Sequence, residues 1–330
     1  MKIGILGATG AVGRQMITCL EERNIHPDEL RLFASERSIG KTISFYDKPI
    51  SLEVIAKERL RDLDYVLGAV SNALAKEWGP VIKEAGGVFI DNSSAFRLEE
   101  DIPLVVPEIN GEDALNHHGI IANPNCSTII TMMVVSPIQK LSPIKKMITC
   151  TYQAVSGAGI SGLNELTSQI ESIHKNEEVQ IETFPKQIAY NCIPLIGSEL
   201  DNSYTSEEMK MQNEGRKILH NQEMKVSCTC VRVPVYRSHA ISVSLQCEDD
   251  LDLEKVKEAL KNAPGLLHEV DTFPTPLETS NQDLVAVGRL RKDLVFDGGI
   301  SLWCCGDQIR KGAATNAVQI LEYLLNNEKL

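Results

Sequence analysis

KIGILGATGAVGRQMITCLEER, residues 2–23, opens with a short apolar run, continues through a loop bearing Gly7, Gly10 and Gly13, and ends in a stretch of helical period. KIGIL has the length and composition of a buried strand, and AVGRQMITCLEER places its apolar residues on one helical face. Glycine carries no Cβ, so the chain can turn from strand to helix within a few residues and its backbone can approach a ligand closely. A strand, a glycine loop and a helix start in that order make a cradle for a pyrophosphate, whose charge would meet the N–H groups of the first helical turn. The expected contacts of such a group are Gly7, Thr9, Gly10, Ala11, Val12 and Gly13. A tight strand–helix turn that holds no ligand carries the same glycines.

Working outward, LRLFA (30–34), DYVLGAV (64–70), GVFIDN (87–92) and GIIANP (119–124) read as further strands, with a helical stretch at 73–86. Strand–helix alternation of this kind predicts a parallel, doubly wound sheet. From about residue 127 the pattern changes. ITCTYQAVSG (148–157) and KVSCTCVRVPVYRSHAISVSLQC (225–247) alternate as long strands of a sheet with one solvated or interface face, with helices at 206–221 and 253–262. The segment 309–327 is a strong amphipathic helix. The expected fold is α/β: a Rossmann-like dinucleotide-binding domain over 1–125 plus 309–330, its C-terminal helix packing back on it, and an α+β catalytic and dimerisation domain over 126–308.

The end of the second strand is where a nicotinamide dinucleotide is told apart: a carboxylate there binds a ribose 2′-hydroxyl, positive charge a 2′-phosphate. Here Glu36 is surrounded by Ser35, Arg37, Ser38 and Lys41, which favours NADP. Ser71 and Asn72, after the third strand, are expected to supply further hydrogen bonds.

The 330 residues include 43% hydrophobic and 24% charged, the balance of an ordinary globular chain. A net charge of −12 argues against a nucleic-acid partner. No leader is expected ahead of the first strand, and no window reaches the roughly 18 apolar residues of a membrane span. The nine cysteines are scattered and form no CxxC pair, so no metal site is expected and a reducing, cytoplasmic location is.

NPNCST (123–128) sets a lone thiol, Cys126, in a polar bend just before the apolar run IITMMVV. A cysteine is commonly a small core residue. At a helix start it can instead be a thiolate, stabilised by the helix dipole. Its partner would be His239, in VYRSHA, the best placed of seven histidines. A nicotinamide domain with a nucleophilic thiol points to one chemistry. The thiolate adds to an aldehyde, the adduct gives up hydride, and a thioester remains; the reverse begins from an activated acyl group.

GATGAVG, DNSSAFR (91–97), VPEIN (106–110), NPNCST, TYQAVSGAG (151–159), EEMK (207–210), RVPVYRSH (232–239) and KGAATNAVQI (311–320) occur in this order. The array closely resembles the aspartate-β-semialdehyde dehydrogenases over nearly the whole chain. The resemblance implies Cys126 as nucleophile, His239 as general acid and base titrating near neutrality, and Gln153 positioning substrate and thioester. It implies Arg232 for the substrate α-carboxylate and Glu207 for its α-ammonium. Arg97, Asn125 and Lys210 would bind phosphate, Ser156 and Gly157 would line the nicotinamide pocket, and Asn316 would contact the cofactor. It further implies inorganic phosphate as co-substrate, a homodimer, and work in lysine, diaminopimelate, methionine and threonine biosynthesis. The turn AVSNALAKEW (69–78) departs from the glycine- and serine-rich form common in that family. The alternatives are an N-acetyl-γ-glutamyl-phosphate reductase, in which Glu207 would face no ammonium, and a catalytically silent nucleotide-binding relative.

Overall fold

The computed structural model describes residues 1–268 and 273–327; the side chain of His268 and the last three residues of the expected 309–330 segment lie outside the described residues. The chain divides into two compact units, Met1–Asn125 with Ala313–Leu330, and Cys126–Gly312.

The first unit is built on a sheet of seven strands: β1 (Lys2–Leu6), β2 (Glu29–Phe33), β3 (Thr42–Phe45), β4 (Lys48–Glu53), β5 (Tyr65–Gly68), β6 (Val88–Asp91) and β7 (Ile120–Ala122). Their spatial order is β3-β4-β2-β1-β5-β6-β7. All neighbours pair in parallel except β3 with β4. Parallel pairing needs crossovers, and the helices Ala11–Glu22 and Asn72–Glu84 supply two of them. Because β1 pairs with β2 on one side and β5 on the other, the strand order reverses at its carboxyl end. That is where the glycine loop lies, and where open α/β sheets bind ligands. Ile3, Ile5, Leu32, Leu67 and Ile90 of the strands share one core with Ala317, Val318, Leu321 and Leu324 of the Thr315–Asn327 helix. Each of the larger ones, Ile, Leu or Val, contributes about 1.5–3 kcal/mol on full burial. The β3–β4 hairpin, turning through Tyr46 and Asp47 at φ 46° and 60°, has no apolar run and is not legible as strands in the sequence.

The second unit carries β8 (Ile144–Gln153), β9 (Lys225–Arg232), β10 (His239–Cys247), β11 (Leu266–His268), β12 (Val285–Lys292) and β13 (Ile300–Gly306). They are ordered β11-β12-β13-β10-β8-β9. The Cys126–Gln139 helix is apolar around nearly its whole circumference and buried from Ser127 to Ser136. A helix without a polar face belongs inside a domain, and this one anchors the residue that begins it. On β8, by contrast, Ile148 and Tyr152 remain exposed, and Tyr152 lies against Trp303 of β13 with ring centroids 5.5 Å apart. No helix among the described residues is long and apolar enough to cross a membrane.

Candidate active site

In the first unit the glycine loop is defined by what it excludes. Gly7 sits at φ +78°, and a Cβ there would lie 2.2 Å from the Ala69 carbonyl oxygen. A Cβ on Gly13 would lie 2.2 Å from the Gly7 carbonyl oxygen. Gly10 caps the Ala11–Glu22 helix through backbone alone, with no side-chain hydrogen bond and no carboxylate in the first turn. Gly10 is exposed, and Thr9, Ala11 and Val12 are half-buried around it. Beside the loop lies a cleft of about 370 Å³ whose walls include Gly7, Ser35, Glu36, Val54, Leu74 and Trp78. The loop accommodates a pyrophosphate and the cleft a flat ring system, so these residues fit a dinucleotide. Ser35 lines the cleft, while Arg37 and Ser38 belong to the 3₁₀ turn just beyond it. Val54, Leu74 and Trp78 were not read as site residues, since apolar positions on a helix or loop look like packing.

The other expected residues of this unit follow β5, β6 and β7 in the chain or lie on the Thr315–Asn327 helix. Ser71 caps the Asn72–Glu84 helix by accepting from the Leu74 N–H, 3.4 Å away. The Asn72 amide both donates to Ser94 Oγ (2.8 Å) and accepts from the Ser94 N–H (2.9 Å). Asp91 accepts from the N–H and hydroxyl of Ser93, and burial pushes its carboxyl up. That turn presents Arg97, which is buried and donates to the Asn92 carbonyl at 2.8 Å. Asn316 is fully buried and donates to the Val105 carbonyl and to Asn123 Oδ1 at 2.9 and 2.6 Å. It thus tethers the Asn123 loop. Asn125 is buried at the end of this unit.

In the second unit, the alternation of β8 and β9 brings distant residues together. Gln153 pairs in register with Arg232 at the ends of the two strands. Gln153 Oε1 accepts from the Thr151 hydroxyl at 3.0 Å, which orients its Nε2 to donate to Glu207 at 3.2 Å. Glu207 lies in the first turn of the Ser206–Ile218 helix, started by a Thr205–Glu208 capping box. Lys210, one turn on, donates to its other oxygen at 2.8 Å. Arg232 Nη1 donates to the Ala154 carbonyl at 2.6 Å, and the Phe184 ring lies 5.9 Å from its guanidinium carbon. Gly157 makes room for it, since a Cβ there would lie 2.7 Å from Arg232 Nη1. Burial pushes Arg232 below its ordinary value, and the neighbouring Cys126 and Glu207 oppose that.

Cys126 begins its helix, and its Sγ lies 3.4 Å from His239 Nε2. His239 follows Ser238, which is held at φ +72° by hydrogen bonds from its N–H to Gln308 Oε1 and between its hydroxyl and Thr279. The Gln308 amide also donates to Ser156, which is buried. His239 Nδ1 accepts from the Ala154 N–H at 3.0 Å. The ring is wholly buried, and burial, reinforced by Arg232, pushes its pKa down to about 3, with Glu207 opposing. This corrects the expectation that His239 titrates near neutrality. Within this unit the structure therefore gathers Cys126, His239, Gln153, Arg232, Glu207, Lys210, Ser156 and Gly157. Arg97, Asn125 and the cradle residues belong to the other. Phe184, Gln308 and the Ala154 backbone were missed, and only Ala154 lies inside a motif.

The chain was compared with known proteins. Residues 2–117 match the family model described as "Semialdehyde dehydrogenase, NAD binding domain", and residues 135–311 the one described as "Semialdehyde dehydrogenase, dimerisation domain". Aspartate-semialdehyde dehydrogenase of Aquifex aeolicus is 45% identical over 332 residues, covering 98% of each chain. A crystal structure of aspartate semialdehyde dehydrogenase II complexed with ASA, from Vibrio cholerae, is 42% identical with a TM-score of 0.97 over 99% of both chains. One from Candida albicans, with NADP, is 25% identical with a TM-score of 0.76 over 98% of both. Likeness of this extent covers both units and almost every residue, and the chain belongs to the aspartate-semialdehyde dehydrogenase family.

Proposed function

We propose that this chain is an NADP-dependent oxidoreductase catalysing L-aspartate 4-semialdehyde + phosphate + NADP⁺ ⇌ L-4-aspartyl phosphate + NADPH + H⁺. In the biosynthetic direction it reduces the acyl phosphate toward lysine or diaminopimelate, methionine and threonine. The observation that carries the reading is the Cys126 thiol at a helix start, 3.4 Å from a buried imidazole, in a unit that also gathers Arg232 and Glu207. A small zwitterion needs this set of charges, and a thiol hydrolase would not.

Cys126 is the nucleophile, carrying the aspartyl group as a thioester. Gln153, fixed by Thr151 and Glu207, positions that acyl group. Arg232 offers a planar fork to the α-carboxylate, and Glu207 receives the α-ammonium. Lys210, paired with Glu207 at 2.8 Å, binds phosphate, the work also proposed for Arg97 and Asn125. The 1–125 and 309–330 segments form the NADP-binding domain, the rest the catalytic and dimerisation domain. Gly7, Thr9, Gly10, Ala11, Val12 and Gly13 hold the pyrophosphate, with Ser35, Arg37 and Ser38 toward the 2′-phosphate. Ser71, Asn72, Ser156 and Gly157 line the remaining cofactor path, and Asn316, which also holds the Asn123 loop, contacts the cofactor. When bound, the nicotinamide supplies the hydride acceptor or donor. The protein acts as a cytoplasmic homodimer, and the face bearing exposed Ile148 and Tyr152, with half-buried Trp303 beside it, supports pairing through that side of the sheet.

The test is NADP⁺ reduction by L-aspartate 4-semialdehyde with and without phosphate. Sustained turnover is expected only with phosphate. Equal turnover without phosphate, or none with it from protein that binds NADP⁺, would count against the reading.

A further inference from the structure

Between the Gly159–Lys175 helix and the Ser206–Ile218 helix, residues 176–205 form no helix or strand. A stretch that long without structure of its own is uncommon in a compact unit, and its backbone groups need partners from elsewhere. Two side chains one helical turn apart supply them. Glu165 accepts from the N–H groups of Glu182, at 3.3 Å, and Thr183. Gln169 accepts from those of Ile188 and Ala189 at 2.9 and 3.0 Å, and donates to the Gln180 carbonyl at 2.9 Å and to Glu165 at 3.0 Å. Both side chains are buried. A buried carboxylate is costly unless it is well hydrogen-bonded, and here the bonds go to the backbone on both sides of Phe184. No step of the reaction uses either residue.

What this clamp holds in place is the Phe184 ring. Gly162 leaves room for it, since a Cβ there would lie 3.1 Å from Phe184 Cζ. Val155, Ile188 and Ile193 share its buried cluster. Further along, the same segment grips Arg232 itself: Ile193 and Arg232 exchange two backbone hydrogen bonds, at 2.9 and 2.8 Å. Phe184 and Arg232 both line one cavity of about 500 Å³. The Arg232 guanidinium carbon lies over the Phe184 ring, 5.9 Å from its centroid, within the range where a ring face attracts a cation. The Ala154 carbonyl holds one end of the fork, at Nη1. A ring face fixes the plane of the fork in another way, because it engages the flat face and leaves the in-plane N–H groups to other partners.

We propose that Phe184 is a positioning residue for substrate recognition: its ring face, held by the Glu165–Gln169 clamp, sets the plane in which Arg232 meets the α-carboxylate. The proposal rests on the carboxylate-binding role given to Arg232 and adds the group that orients it. A buried guanidinium free to swing would have to be ordered again each time substrate binds, and that ordering would weaken binding. The ring removes this cost without competing for the carboxylate. It touches neither the thiol nor the transferred hydride, so its loss acts on substrate affinity and spares the chemical step.

The test is steady-state kinetics of the full-length enzyme with L-aspartate 4-semialdehyde, phosphate and NADP⁺. Phe184→Met keeps the bulk without the ring, and Phe184→Tyr keeps the ring. A third variant places 3,4,5-trifluorophenylalanine at position 184, which preserves the shape needed for folding and removes the negative ring face. The KM for semialdehyde should rise about three- to tenfold with the fluorinated ring, and at least as much with methionine, as for loss of a cation–π contact. With tyrosine it should stay within about twofold of wild type, and kcat and the KM for phosphate should stay within about twofold in all three. In Arg232→Gln, which carries no cation, the fluorinated ring should change kcat/KM by less than about twofold, because the two groups act as one. An unaltered KM with the fluorinated ring, a full effect persisting in Arg232→Gln, or a loss borne by kcat instead would overturn the proposal. Failure of the carboxylate reading is a separate result: it would show as an unaltered KM for semialdehyde in Arg232→Gln alone.

Discussion

The dinucleotide cradle and the thiol centre are built in opposite ways. The cradle is local and made of backbone: Gly7, Gly10 and Gly13 lie within one turn, and its shape depends on atoms that are missing. The thiol centre is made of side chains, and its central pair is separated by 113 positions. A sheet must form before Cys126 and His239 can meet, and the ring is oriented by the backbone N–H of Ala154, just beyond the end of β8. Substitution should therefore break the first by bulk and the second by chemistry, each leaving the other intact.

The largest effect should come from Cys126→Ala. Turnover should fall by at least about 10⁴-fold, as for loss of an enzyme nucleophile, while NADP⁺ titrated calorimetrically binds as before. Residual turnover within tenfold of wild type would remove Cys126 from the mechanism. Gly13→Val is the mirror experiment. Its side chain would meet the Gly7 carbonyl, so NADP⁺ affinity should drop at least tenfold, with an overpacking cost of about 1–3 kcal/mol or more. Alkylation of Cys126 in folded Gly13→Val protein should be unchanged; a large change would show that the two sites are not separable.

Arg232→Lys tests whether planar geometry is required where charge is kept. The KM for semialdehyde should rise about 10- to 100-fold, with a smaller effect on kcat, as for loss of a bidentate charged contact. An unaltered KM would remove Arg232 from carboxylate recognition. The smallest effect is on stability. The folded pKa of His239, about 3, lies below its unfolded value of 6.5, so the unfolded chain binds the proton more readily. This contribution is fully present above about pH 6.5 and is lost as pH falls toward 3, at up to about 1.4 kcal/mol per pH unit. Urea midpoints of wild type should therefore fall more steeply below pH 6.5 than those of His239→Gln. Parallel curves would mean that the ring is charged when folded.

The same contrast explains what the sequence discloses. Gly7, Gly10 and Gly13, and the strand and helix flanking them, are contiguous, so the cradle and the parallel sheet can be read directly. Cys126 and His239 could be singled out from their local contexts, but Gln153, Glu207, Lys210 and Arg232 could be named only because their motifs resemble those of a family; spacing alone does not bring them together. The orientation of His239 was not legible, because it depends on the Ala154 N–H and on Ser238 at positive φ. Nor was the Phe184 platform, an isolated aromatic in an irregular stretch. The bonds by which Asn316 tethers Val105 and Asn123 were not legible either, because hydrogen bonding in three dimensions, not residue type, decides what an asparagine amide engages.

The most direct test of the thioester mechanism omits phosphate. Enzyme in substrate-level amounts is mixed rapidly with L-aspartate 4-semialdehyde and NADP⁺, NADPH is followed by absorbance, and the quenched protein is digested for mass analysis. The account predicts a burst approaching one NADPH per active site, then near-arrest, with the aspartyl group on the Cys126 peptide and released when phosphate is added. Absence of a burst from protein that turns over with phosphate, or an unmodified Cys126 peptide after one, would contradict it.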